Sequence, residues 1–167
     1  MEQVADALTQ HAVASVDVLN ANLFGRSAFN RYYYGVFLAV REMIRYGHPE
    51  IARFPHRNMP EDLTGKLREK IVDVARQQAK KGLISHAQQA QFVDRASVAL
   101  RELAEILKEG YRIREIADYE PSILATVQNG HVVLDDKTSD AARNWGRRAE
   151  RAIGQVKQVW RQLGLAN

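Results

Sequence analysis

Apolar residues recur three and four positions apart along almost the whole chain, the spacing that gathers them on one side of an α-helix. Val4, Leu8, Ala12, Ser15, Val18 and Leu19 form the first stripe, and residues 22–25 read as a break. A second helix then opens at Arg26 or Ser27 and carries Phe29, Tyr33, Val36, Phe37, Val40 and Ile44 down one side. Gly47-His48-Pro49 stops it, since glycine suits a helix end and proline cannot continue the ladder. Residues 48–60 hold three of the four prolines and read as an exposed loop. Pro60, Glu61 and Asp62 start a third helix, acids being favoured in a first turn. Its stripe is Leu63, Leu67, Ile71, Val74 and Gln78, and Lys80-Lys81-Gly82 end it.

Ser85 caps a fourth, long helix with Phe92, Ala96, Ala99, Leu100, Leu103, Ile106 and Leu107 on its inner face. That helix continues past Gly110 towards Asp118, and Pro121 closes it. Residues 123–127 and 131–134 flank Asn129-Gly130, the two-residue signal of a β-hairpin. A last helix, from 135–140 onward, buries Trp145, Ala149, Ala152, Ile153, Val156, Trp160 and Leu163. The pattern predicts an all-α, antiparallel bundle of about five helices in a single domain, with a short β-hairpin near 123–134.

Composition narrows the chemistry. A chain of 167 residues can bury a core without covalent staples, and it contains no cysteine, which removes disulfides, thiolate metal sites and cysteine nucleophiles. The five histidines fall in no metal-ligand spacing, so neither a metal nor a cofactor is expected. No apolar run is long enough to span a bilayer, and the first ten residues lack the basic-then-apolar order of a secretory leader, so the expected location is cytoplasmic. The net charge of +4 is concentrated late: residues 137–161 carry seven basic side chains against two acidic ones. Arg147, Arg148 and Arg151 lie in that run and suit a phosphate backbone.

Two local clusters can carry function. In Asn30-Arg31-Tyr32-Tyr33-Tyr34-Gly35 three consecutive tyrosines spread over about 200° of helix, so at least one faces the core. Arg31 shares a side with Tyr34. Near the end of the fourth helix, Arg112-Ile113-Arg114-Glu115-Ile116-Ala117-Asp118-Tyr119 places Arg114 and Asp118 one turn apart, able to bond each other. Opposite charges on two packed helices also predict Asp118 close to Arg31.

Together these segments resemble the HEPN superfamily, in the branch whose second helix reads like SRxYYAxFHAA and whose fourth ends RxxADY. The resemblance implies a dimeric all-α bundle that targets RNA as a toxin or a prokaryotic defence component, often with a nucleotidyltransferase partner. It further implies a metal-independent endoribonuclease, with Arg114, Asp118 and Tyr119 at the catalytic position and Arg31, Tyr33 and Tyr34 holding RNA or a nucleotide. Tyr119 matches the tyrosine that receives nucleotides from the partner enzyme in related toxins. The alternative is a non-catalytic HEPN module that binds a nucleotide or docks the nucleotidyltransferase. The chain departs from the family in that no histidine follows Arg114. Leu38 and Asn30 stand where the second-helix histidine and serine are expected. Arg41 and His48 have an arginine–histidine spacing of the right kind, but at the end of the second helix.

Overall fold

The computed structural model describes residues 1–48 and 56–165. Residues 49–55 of the expected proline-bearing loop lie outside that set. The fold class is all-α with a small antiparallel sheet, in five helical runs. They are α1 (Glu2–Ala14), α2 (Val18–Gly47), a run made of α3 (Met59–Asp62), a π-helical turn (Leu63–Leu67) and α4 (Arg68–Lys80), then α5 (His86–Tyr119) and α6 (Ser139–Gln162). A 3-10 turn, His56–Asn58, precedes α3. No described helix is long and apolar enough to cross a membrane.

The chain forms two compact units. One comprises Met1–Leu38 with Leu107–Arg147, the other Ala39–Ile106 with Arg148–Asn167. Helices α2, α5 and α6 each lend one stretch to each unit.

In the first unit the sequence reading of α1 and of the start of α2 is corrected. Residues 22–25 do not break the chain, because α2 runs 30 residues from Val18. Asp17 caps it, its carboxylate oxygens accepting the Leu19 and Asn20 N–H groups at 3.1 and 3.4 Å. Asn22 and Gly25, which look like punctuation, have tertiary duties inside the helix. The buried Asn22 Oδ1 accepts the Ala125 N–H at 2.8 Å. A Cβ on Gly25 would lie 2.7 Å from Val132 Cγ1 and 2.9 Å from Ala125 Cβ, so only glycine lets the hairpin approach this closely. The buried face of α1 is Ala5, Thr9 and Ala12, while Val4, Val18 and Leu19 are exposed. Small side chains win the inner face because they admit close backbone approach, and the larger aliphatics are left outside.

The sheet is β1 (Thr126–Gln128), β2 (His131–Leu134) and β3 (Lys137–Thr138), in that spatial order. Asn129 and Gly130 make the expected turn, with φ of 51° and 78°. Thr126 pairs with Val133 and Gln128 with His131, while Val133 pairs with Thr138. The third strand was not legible beforehand. It leads directly into α6, where Thr138 Oγ1 caps the Ala141 N–H at 3.2 Å. At the other end of the unit, Arg26 donates to four carbonyls at the close of α5: Ile116 at 2.9 Å, Ala117 at 2.8 Å, Glu120 at 3.0 Å and Ile123 at 2.6 Å. Two of these carbonyls, Ile116 and Ala117, lie in the last turn of α5 and two, Glu120 and Ile123, in the segment that follows; Ile116 and Glu120 also accept the Glu120 and Ile123 N–H groups, and a guanidinium suits the negative end of the helix dipole.

In the second unit the stripes are where the periodicity puts them. Phe92, Leu100, Leu103 and Ile106 of α5 and Ile153, Val156 and Trp160 of α6 are buried, as are Leu63, Leu67 and Ile71. Ser85 caps α5 reciprocally with Gln88: Ser85 Oγ accepts the Gln88 N–H at 3.1 Å and Gln88 Oε1 accepts the Ser85 N–H at 2.8 Å. His48 is buried, with its ring edge-on to Trp160 at 5.4 Å. It is a packing residue here and not the solvent-facing base that the Arg41–His48 spacing suggests.

Candidate functional site

The two sequence clusters meet within the first unit, through Asn30, to which the sequence reading gave no role in the site. Asn30 Nδ2 donates to Asp118 Oδ1 at 2.6 Å, and Arg114 Nη2 pairs with Asp118 Oδ2 at 2.8 Å. The expected approach of Arg31 to Asp118 is therefore replaced by Asn30. Residues on a helix step round by about 100°, so Asn30, Tyr33 and Tyr34 face α5 together and Arg31 is turned to solvent. The signal for Asn30 was available in that same spacing, since an amide one turn before a buried tyrosine needs a polar partner.

Tyr33 is almost wholly buried, 5.5 Å from the Tyr34 ring, 6.0 Å from Tyr111 and 6.2 Å from Phe37. Gly110 makes room for it: a Cβ there would stand 3.0 Å from Tyr33 Cδ2. Tyr33 is thus an aromatic core member and not a surface for RNA, while Tyr34 is half-buried beside it. The Arg114 guanidinium lies 5.2 Å from the centre of the Tyr119 ring. Partial burial opposes its charge, but the hydrogen bond with Tyr119 and the Asp118 carboxylate outweigh that and raise its pKa above the ordinary value. Tyr119 itself is 66% exposed. Two polar atoms of the cluster, Asn30 Oδ1 and Arg114 Nε, are buried and make no hydrogen bond within the described residues.

A second polar cluster in the same unit is internally satisfied. Tyr32 Oη donates to Asp6 Oδ1 at 2.6 Å, which also accepts from Arg143 Nε at 2.8 Å, and Thr9 Oγ1 lies 3.3 Å from Tyr32 Oη. Arg112 is held by Asp135 and Asp136. These pairs fasten α1 and the sheet to the helices. Of the late arginines, Arg148 is committed to Glu102 at 2.7 Å, whereas Arg147 and Arg151 are exposed. Among the described residues no group of three or more carboxylates and histidines is placed to hold a metal.

Burial raises the phenol pKa values of both Tyr32 and Tyr33 above the ordinary 10.0, desolvation being the largest cause in each. The folded chain then holds protons that the unfolded chain has lost. The resulting stabilisation is fully present below pH 10.0 and declines as pH rises towards the folded pKa values. Denaturation midpoints followed from neutral to strongly alkaline pH should fall above that point. Tyr33→Phe should flatten the fall, and an equally steep decline in the variant would contradict the assignment.

Comparison with known protein families, with curated proteins and with solved structures returns no match to this chain.

Proposed function

We propose that the chain is a HEPN-like, RNA-targeting protein of a prokaryotic toxin–antitoxin or defence system. In this reading the Asn30–Asp118–Arg114 cluster beside Tyr119 takes an RNA phosphate or a nucleotide. The observation that carries the reading is the pair of unused polar atoms. A buried donor and a buried acceptor left without partners each cost about 1–3 kcal/mol, which a ligand offering complementary groups returns. Arg114 supplies charge to a phosphate, Asn30 Oδ1 accepts from a base or ribose hydroxyl, and Tyr119 offers an exposed ring on which a base can stack. Arg31 and Arg147 are exposed cations of the same unit, available to a longer strand. The protein acts as a homodimer in the cytoplasm, alongside a nucleotidyltransferase partner.

Whether the bound RNA is cut depends on a proton acceptor. Both oxygens of Asp118 are engaged, by Asn30 and Arg114, and no histidine joins the cluster. This favours the second reading, a non-catalytic module that holds a nucleotide and presents Tyr119 at the end of α5 to a nucleotidyltransferase. Fluorescence anisotropy with single-stranded RNA in the presence of a chelator separates the outcomes. Binding should weaken with salt by a slope of about −0.7 per phosphate engaged. Shortened RNA identifies a metal-independent endoribonuclease, and intact bound RNA identifies the non-catalytic module. Absence of both binding and cleavage overturns the proposal.

A further inference from the structure

The proton acceptor that the Asn30–Asp118–Arg114 cluster lacks is present elsewhere in the first unit. A cleft of about 360 Å³ opens there, within the size range of ligand sites. To it α1 contributes the apolar Val13 and Ala14, β2 contributes His131, and α6 contributes Asp140 and Arg143. His131 is the first residue of β2, and Asp140 stands in the first turn of α6. His131 Nδ1 lies 3.1 Å from Asp140 Oδ2. In the neutral imidazole that contact is an Nδ1–H donated to the carboxylate, which puts the ring's lone pair on Nε2. The side chain lines the cleft and is 47% exposed, so Nε2 is the nitrogen offered to a ligand.

Arg143 follows Asp140 by one turn of α6, its Nε held by Asp6 at 2.8 Å, so the guanidinium is anchored along one edge. The exposed Arg147 lies one further turn along. The cleft's own hydroxyls are committed. Thr9 Oγ1 donates to the Ala5 carbonyl at 2.9 Å, and the buried Ser139 Oγ accepts the Val132 N–H at 3.3 Å. Neither is placed as a nucleophile, and the chain has no cysteine. An oriented base beside a cation, with no nucleophile of its own, suits a substrate that brings the nucleophile with it. RNA does so, because each ribose 2′-hydroxyl adjoins its 3′-phosphodiester.

We propose that His131, Asp140 and Arg143 form a catalytic site for RNA transesterification, built from residues other than the Asn30–Asp118–Arg114 cluster. His131 Nε2 takes the proton of the 2′-hydroxyl, the 2′-oxygen bonds to phosphorus, and the bond from phosphorus to the 5′-oxygen breaks. The 5′-oxygen leaves with a proton from water, and the imidazolium returns its own to solvent. The products are a 2′,3′-cyclic phosphate and a 5′-hydroxyl. Arg143 stabilises the charge that gathers on the phosphorane oxygens. Asp140 is a positioning residue that fixes the ring and its tautomer. The inference rests on the RNA reading above and supplies the step that reading leaves open.

Cleavage of end-labelled single-stranded RNA in the presence of a chelator tests it. The wild-type chain should leave 2′,3′-cyclic phosphate ends, and 2′-O-methyl RNA should stay intact. His131→Ala should slow cleavage at least about hundredfold at nearly unchanged RNA affinity and melting temperature, and imidazole added to the buffer should restore part of the rate. Asp140→Asn should lower kcat at least about tenfold with KM unchanged. Both side chains are about half exposed, and circular dichroism verifies that each variant is folded. RNA bound but left intact by wild type, cleavage at the wild-type rate by His131→Ala, or equal cleavage of 2′-O-methyl RNA overturns this inference and leaves the RNA reading standing. A joint loss of RNA affinity and melting temperature in His131→Ala assigns the pair to structure and overturns it as well. Neither binding nor cleavage by wild type overturns both the inference and the RNA reading.

Discussion

Replacing Arg26 by alanine should lower the stability of the protein by about 3 kcal/mol, a loss of about 10 °C in melting temperature. One guanidinium donates to the carbonyls of Ile116, Ala117, Glu120 and Ile123, so its removal unties α2 from the end of α5 and the segment after it in a single step, although Ile116 and Glu120 keep their backbone donors. Hydrogen bonds from a charged donor each exceed a neutral one, and the alanine offers nothing to the acceptors it leaves in a partly buried setting. Arg26→Lys should recover less than half of the loss, because one ammonium cannot reach four carbonyls in the planar fork that arginine provides. Chemical denaturation of both variants measures this. An alanine variant within about 1 kcal/mol of wild type would show that water replaces the cap at little cost.

Arg26 also shows what a sequence can and cannot disclose. Its partners lie 90 to 97 positions away and are backbone atoms, which leave no trace in side-chain patterning. Asn22 and Gly25 are legible only as helix breakers, since the hairpin that needs the amide and the missing Cβ is a tertiary neighbour. By contrast, the inner stripes of α5 and α6, the Ser85 cap and the Asn129-Gly130 turn rest on local spacing, and the structure places them accordingly. The face of α1 fails for a different physical reason. Hydrophobicity ranks valine above alanine, but close helix approach selects Ala5 and Ala12 and leaves Val4 outside.

The candidate site divides in the same way. The Arg114–Asp118 pair is an i, i+4 contact within one helix and follows from spacing. Which α2 residue completes it depends on the rotation of that helix, and a difference of one residue exchanges a solvent-facing arginine for Asn30. The exchange matters chemically. An arginine in that position would neutralise Asp118 a second time, whereas the amide leaves Arg114 as the one cation among the described residues paired with the carboxylate and adds an unused acceptor.

The second large effect concerns Arg114 and bears on the central claim, that this cluster binds RNA or a nucleotide. Arg114→Ala removes the charge, the ion pair with Asp118 and the cation over the Tyr119 ring. Asp118 keeps its bond from Asn30, so the folded chain loses only a partly exposed pair, about 1 kcal/mol or a few degrees of melting temperature. A phosphate loses its charge-assisted donor, worth about 1.5–3 kcal/mol, or roughly ten- to a hundredfold in affinity. The deciding measurement is the affinity of single-stranded RNA for wild type and Arg114→Ala, taken at several salt concentrations beside their melting curves. Weaker binding by at least about tenfold with a shallower salt slope, at nearly unchanged melting temperature, is the predicted result. Equal affinity and equal slope in the two proteins would contradict it and leave the cluster a structural tie between α2 and α5.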